Sequence, residues 1–202
     1  MFPYCRFWCR RWIRSAVLLV IFLTIPLAAL ASQVRPLNLE QMTQRADRIF
    51  HGRCVNLRTV RDPDLGQWVT YVTFAPQRGA KGGVRGGVTI KLLGDQEMGA
   101  RLERAVEGLP RFRRGEEVVL FLYGDSHSGL TSPVGFGQGK FTVFQDKQGQ
   151  PLAINGFSNE NLFRGLSREA ERKLQGKAEK WRGRKGVPPD ALLDMVDALQ
   201  NH

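Results

Sequence analysis

Cysteine and histidine are both scarce in this chain, at three each in 202 residues. The cysteines are Cys5, Cys9 and Cys54, and the histidines are His51, His127 and the terminal His202. Neither set has the paired spacing of a metal site, and no carboxylate motif supports one, so no metal or other cofactor is expected. Long apolar runs are also missing. The longest, Ala16 to Ala31, is 16 residues, below the roughly 20 that a spanning helix needs. There is no internal repeat and no alternation of strands with helices, which argues against doubly wound nucleotide-binding folds.

The amino terminus is the most informative segment present. Arg6, Arg10, Arg11 and Arg14 precede the apolar run, which closes on Ala29-Leu30-Ala31. A basic start, a short apolar middle and a small-x-small ending describe a secretory signal cleaved between Ala31 and Ser32. Two alternatives are an uncleaved anchor with its basic end inside and, from Arg10-Arg11, a twin-arginine signal. The Leu-, Ile- and Val-rich middle favours the general route. The expected location is therefore exported, periplasmic or secreted.

Export changes what the rest can mean. Cys5 and Cys9 leave with the signal, so Cys54 has no intrachain partner for a disulfide, and the fold relies on packing. Removing four arginines from 30 Lys+Arg leaves 26 cations against 19 Asp+Glu, a mature charge of +7. Outside the cytoplasm that charge serves solubility first, and as partners it suits an anionic lipid, a cell-wall polymer or an acidic envelope protein better than nucleic acid.

The mature chain reads as β-rich. Asn38 with Gln41 forms a capping box for a helix from Leu39 to about Asp47. Strands follow at 48–60, with Gly52 as a bulge, and at 68–75, joined by the turn Asp62-Pro63-Asp64-Leu65-Gly66. A glycine-rich connection, 79–87, leads to a strand at 88–93, then a long loop with one helical turn near 100–106. Strand 116–123 contains Val118-Val119-Leu120-Phe121-Leu122, apolar on both faces, so it is expected in the centre of the sheet. Strands at 139–145 and 151–155 complete six. The expected fold is mainly β: a small antiparallel OB-like barrel, or a sandwich, over residues 32–157. Residues 158–187 form a basic glycine-containing linker or helix, and 188–202 a closing helix with the stripe Leu192, Leu193, Val196 and Leu199.

The segments ADRIFHGRCV, GLPRFRRGEEVVLFL and TSPVGFGQGKFTV resemble a group of exported bacterial proteins that lack an assigned activity. The resemblance implies a β-rich exported domain followed by a variable tail, with no catalytic residue to transfer.

Candidate chemistry is thin. Cys54 and His51 are three apart, which on a strand places them on opposite faces unless a bulge at Gly52 intervenes. The expectation is a small buried thiol beside a surface histidine. Asp125-Ser126-His127-Ser128 reads as a hairpin loop, because triads are assembled from separate elements. Gly135-Phe136-Gly137-Gln138-Gly139-Lys140 lacks a glycine at Val134 and a hydroxyl at Phe141, so it reads as a turn and not a phosphate loop. Glu116 and Glu117 face apart at a strand edge and are read as solvated charges.

The basic tail offers more. Arg164, Arg168, Arg172, Lys173, Lys177, Lys180, Trp181, Arg182, Arg184 and Lys185 are candidate contacts to an anionic partner. Leu166, Ala170, Leu174, Ala178 and Trp181 add a narrow apolar stripe suited to a membrane surface, while a solvated linker is the plainer reading. In either case residues 164–186 are expected to be separable from the domain. The expected function is a non-catalytic protein- or envelope-interaction module. The alternatives are a secreted hydrolase or thiol enzyme using Cys54, and a protease-inhibitor-like barrel.

Overall fold

Residues 35–97, 101, 106 and 108–201 are described by the computed structural model. The signal-like segment with Ala31 and Ser32 lies outside the described residues, as does most of the expected helical turn at 100–106. No helix among the described residues is long and apolar enough to cross a membrane.

Asn38 opens the first helix. Its side-chain oxygen accepts from the Gln41 N–H at 2.9 Å, and the Gln41 side chain accepts from the Asn38 N–H at 3.2 Å. This reciprocal cap starts α1, Leu39–Arg45. A helix of seven residues is not stable alone; α1 persists because Leu39 and Met42 are fully buried.

Strands β1, Arg48–Arg61, and β2, Trp68–Lys81, form a long hairpin. Its turn is held by Asp62, whose carboxylate accepts from the Asp64 and Leu65 N–H groups, while Gly66 takes φ +62°. Here β2 runs past Ala75 through Gly79 to Lys81, into the stretch expected to be a connection. The first half of β1 requires a backbone partner, and register shifts at Ile49/Phe50 and His51/Gly52 let the chain accommodate Pro76. Strands β3, Val88–Leu93, β4, Glu117–Leu122, β5, Lys140–Gln145, and β6, Pro151–Asn155, complete one antiparallel sheet in the order β3-β2-β1-β4-β5-β6.

That sheet is open. Its terminal strands, β3 and β6, do not pair with one another, so the six strands form neither the closed barrel nor the two-sheet sandwich expected from the turn pattern. Turn spacing counts strands, but closure depends on tilt and stagger, which no local pattern encodes. Each outer edge is instead partly covered. Val187 exchanges two backbone hydrogen bonds with Ala153 of β6, at 2.8 and 3.2 Å, and the Thr131 N–H donates to the Lys91 carbonyl of β3 at 2.9 Å. Covered edges resist pairing with a second chain.

Beyond the sheet, Ser167 caps α2, Arg168–Leu174, and Pro189 begins α3, Pro189–Gln200. The expected stripe of α3 is confirmed: Leu192, Leu193 and Val196 are buried, and Leu199 packs partly buried against them. Arg78 on β2 fastens this helix by reaching Asp194 at 2.8 Å, Asp197 at 2.6 Å and Asp190 at 3.7 Å.

Two cores lie on opposite faces. One joins α1, α3 and the tail to Ile49, Val119, Phe121, Phe141 and Ala153. The other joins Phe50, Cys54, Phe74 and Leu92 to Val118, Leu120 and Leu122, and Phe112 from the preceding loop seals it. Strand β4 alternates between the two, which is the central, doubly covered position expected from its composition. Phe121 is fully buried, with its ring centroid 5.6 Å from that of Phe141. Phe121→Ala should therefore cost about 3–5 kcal/mol and lower Tm by about 10 °C. An unchanged melting curve in a thermal scan would contradict this assignment.

Candidate functional site

Cys54 and His51 do not meet. In the ladder between β1 and β4, His51 lies opposite Val119 and Arg53 opposite Glu117, on the face covered by helices. Cys54 belongs to the other core with Val118 and Leu120. The shift at Gly52 affects the ladder to β2 and leaves the one to β4 regular. His51 is not a surface residue, contrary to expectation. It is buried, with Nε2 2.8 Å from Glu117 Oε1, and Arg53 binds the second carboxylate oxygen at 2.6 Å. A carboxylate does orient the imidazole, and it comes from β4, where the spacing within β1 gave no sign of it.

The thiol is inert by environment. Burial, helped by the nearby Glu116 charge, pushes Cys54 up to about 11, and a thiol attacks only as thiolate. Because this pKa is raised on folding, its contribution to stability is complete below the ordinary thiol value near 9 and is lost as pH rises through about 11.

Asp125, Ser126, His127 and Ser128 occupy the expected exposed turn. Asp125 pairs with Arg48, and the two serine hydroxyls lie 3.0 Å apart. The glycine motif is also structural. A side chain at Gly139 would lie 2.5 Å from the Val134 carbonyl, and Gly135 takes φ +61°. The buried Gln138 between them accepts from the Leu37 N–H at 2.6 Å and donates to the Arg35 carbonyl at 3.1 Å.

The tail differs most from expectation. Ala170, Leu174 and Ala178 are buried in the helix-side core, with Leu166 and Trp181 packed against it. The apolar stripe thus faces the protein's own sheet. Helix α2 ends where Gln175 and Gly176 take φ +48° and +76°, and the chain continues as packed turns. Segment 164–186 is therefore not separable, because removing it would open the core. Its cations remain outside: Arg164, Arg168, Arg172, Lys177, Lys180, Arg182, Arg184 and Lys185 are exposed, while Lys173 and Trp181 are half-buried. Lys173 pairs with Glu169 at 3.2 Å and Arg182 with Glu179 at 2.9 Å. Lys180 and Arg184 sit over the Trp181 ring, 5.0 and 5.5 Å from its centroid.

A cleft of about 830 Å³ lies where β5 parts from β4. Pairing between these strands stops at Val118 and Thr142, so Val143, Phe144 and Gln145 pair only with β6. Arg53, Arg113, Arg114, Lys140, Val143, Phe144 and Pro151 contribute to its walls, together with Glu116 and Glu117. The two glutamates face apart, as expected, but neither is a free solvated charge. Glu116 accepts from Lys140 Nζ at 2.6 Å, the Thr142 hydroxyl at 3.0 Å and the Arg113 N–H at 3.1 Å. Lys140 also donates to the Arg111 carbonyl at 2.5 Å and lies 4.6 Å above Phe112, and its burial lowers its pKa from the ordinary lysine value. Sequence reasoning missed this cleft. The run Arg111 to Arg114 was the only local signal, and Lys140 joins it solely through strand pairing.

No family model, curated protein or solved structure matches this chain. The burial of Cys54 yields a direct test. In the native protein at pH 8, Cys54 should react with a thiol reagent at least a hundredfold more slowly than in denaturant. Fast native labelling would restore the thiol-enzyme reading.

Proposed function

We propose that this protein is an exported, non-catalytic interaction module that holds an anionic envelope surface through its basic tail. The observation that carries this reading is the way the tail is mounted. Buried Ala170, Leu174 and Ala178 fix the segment to the core, so its exposed cations form a set array and not a solvated linker. Arg164, Arg168, Arg172, Lys177 and Lys180 form no ion pair with a carboxylate among the described residues. Pre-arranged cations lose less side-chain and backbone freedom when an anionic surface arrives.

Two exposed aromatic residues support lipid as that surface. Phe136 and Phe157 are 42 % and 45 % exposed, and Phe157 lies over Gly137. The turn that follows is tied to the tail, because Asn159 Nδ2 donates to the Lys185 carbonyl at 3.2 Å. Exposed aromatic rings together with exposed cations suit the boundary between headgroups and acyl chains. A secreted hydrolase or thiol enzyme is disfavoured by the buried, protonated Cys54. The protease-inhibitor-like alternative depended on a barrel presenting its loops, and the sheet is open. Export itself rests on the residues before Ser32.

The test replaces Arg168, Arg172, Lys177 and Lys180 with Gln, all at exposed or surface positions, and leaves the buried stripe intact. Each cation near an anionic bilayer contributes about 1 kcal/mol. Sedimentation with phosphatidylglycerol-containing vesicles should show binding weakened about a hundredfold or more, with an unchanged melting curve. A variant that binds as well as the parent would refute the tail assignment.

A further inference from the structure

We infer that the cleft between β4 and β5 is a second binding site, for an extended acidic peptide segment that also carries an apolar side chain. The charge balance inside the cleft is the first argument. Glu116 is matched by Lys140, and Glu117 by Arg53, with His51 within hydrogen-bond distance of its other oxygen. Arg113 and Arg114 are left over. Arg114 donates to the neutral Asn56 side chain at 2.6 Å, and among the described residues no carboxylate pairs with either guanidinium. Two forked donors beside a buried ammonium make a positive end that accepts carboxylates.

The opposite wall is apolar. Phe144 is 54 % exposed, and Val143 and Pro151 flank it. Between these walls β5 has lost its β4 partner beyond Thr142. An extended chain lying along this stretch can place alternate side chains on the two walls, as peptides do when they add to a parted sheet. The volume, about 830 Å³, suits a few residues of such a chain. The occupant is not the protein's own first 31 residues, which carry four arginines and no acid. Four stretches build the cleft: Arg53 comes from β1, Arg113 to Glu117 from the turn leading into β4, Lys140 and Thr142 to Gln145 from β5, and Pro151 from β6. No residue of segment 164–186 lines the cleft.

The experiment uses a fluorescein-labelled eight-residue peptide of alternating Glu and Val, followed by anisotropy against the chain from Ser32 to His202. Saturable binding is expected, together with no binding of a Lys-Val counterpart. Arg113→Gln combined with Arg114→Gln should weaken it about a hundredfold, roughly tenfold for each lost charged contact. Phe144→Ser should weaken it severalfold. All three positions are at the surface of the cleft, and an unchanged thermal melt checks that the fold is intact. The four-site tail variant should bind the peptide normally, so failure of this proposal and failure of the membrane reading are distinguishable. The inference is overturned if the parent shows no saturable binding, if the cleft variants bind like the parent, or if the tail variant loses the peptide. It is also overturned if Phe144→Ser binds the Glu-Val peptide as tightly as the parent does, since an apolar anchor would then be irrelevant.

Discussion

The double burial of β4 organises this molecule. Val119 and Phe121 project into the helix-side core, while Val118, Leu120 and Leu122 project into the opposite one. Five consecutive apolar side chains have no solvated face, so both sides of the sheet must be covered before β4 can form stably. The two covers are built differently. One uses α1, α3 and the packed tail, and the other uses neighbouring strands and the Phe112 loop. Loss of either would expose one side of β4 to water.

The same constraint explains why the tail is part of the fold. Ala170, Leu174, Ala178 and Val187 complete the helix-side core, and Val187 occupies the free edge of β6. The tail is mounted by its apolar positions, and its cations are therefore presented outward by default. Packing and presentation follow from apolar positions that begin on α2 and continue through the packed turns after it. The glycines that looked like phosphate loops serve packing as well, since at Gly139 the backbone of Val134 leaves no room for a side chain.

The cleft has a different origin. It exists because β5 leaves β4 after Thr142, while Glu116 turns to satisfy Lys140, the Thr142 hydroxyl and the Arg113 amide. A buried lysine is tolerable only when matched, and here a glutamate, a carbonyl and an aromatic face match it. Organising that pair uses Glu116 and leaves Arg113 and Arg114 without carboxylate partners among the described residues.

Local chemistry was sufficient for much of this in the sequence alone. Asn38 and Gln41 predict their own helix cap, Asp62 to Gly66 its turn, and the continuous apolar run of β4 its central place, because each depends on residues a few positions apart. The stripes on α3 and the tail were equally legible, but what they pack against was not. Only the tertiary structure decided that the tail stripe faces the sheet, that the sheet stays open, that Glu117 reaches His51, and that Lys140 meets Glu116. The physical reason is common to all four. Strand order, register and edge closure are set by contacts between residues tens of positions apart, and those energies leave no periodic mark on the chain that carries them.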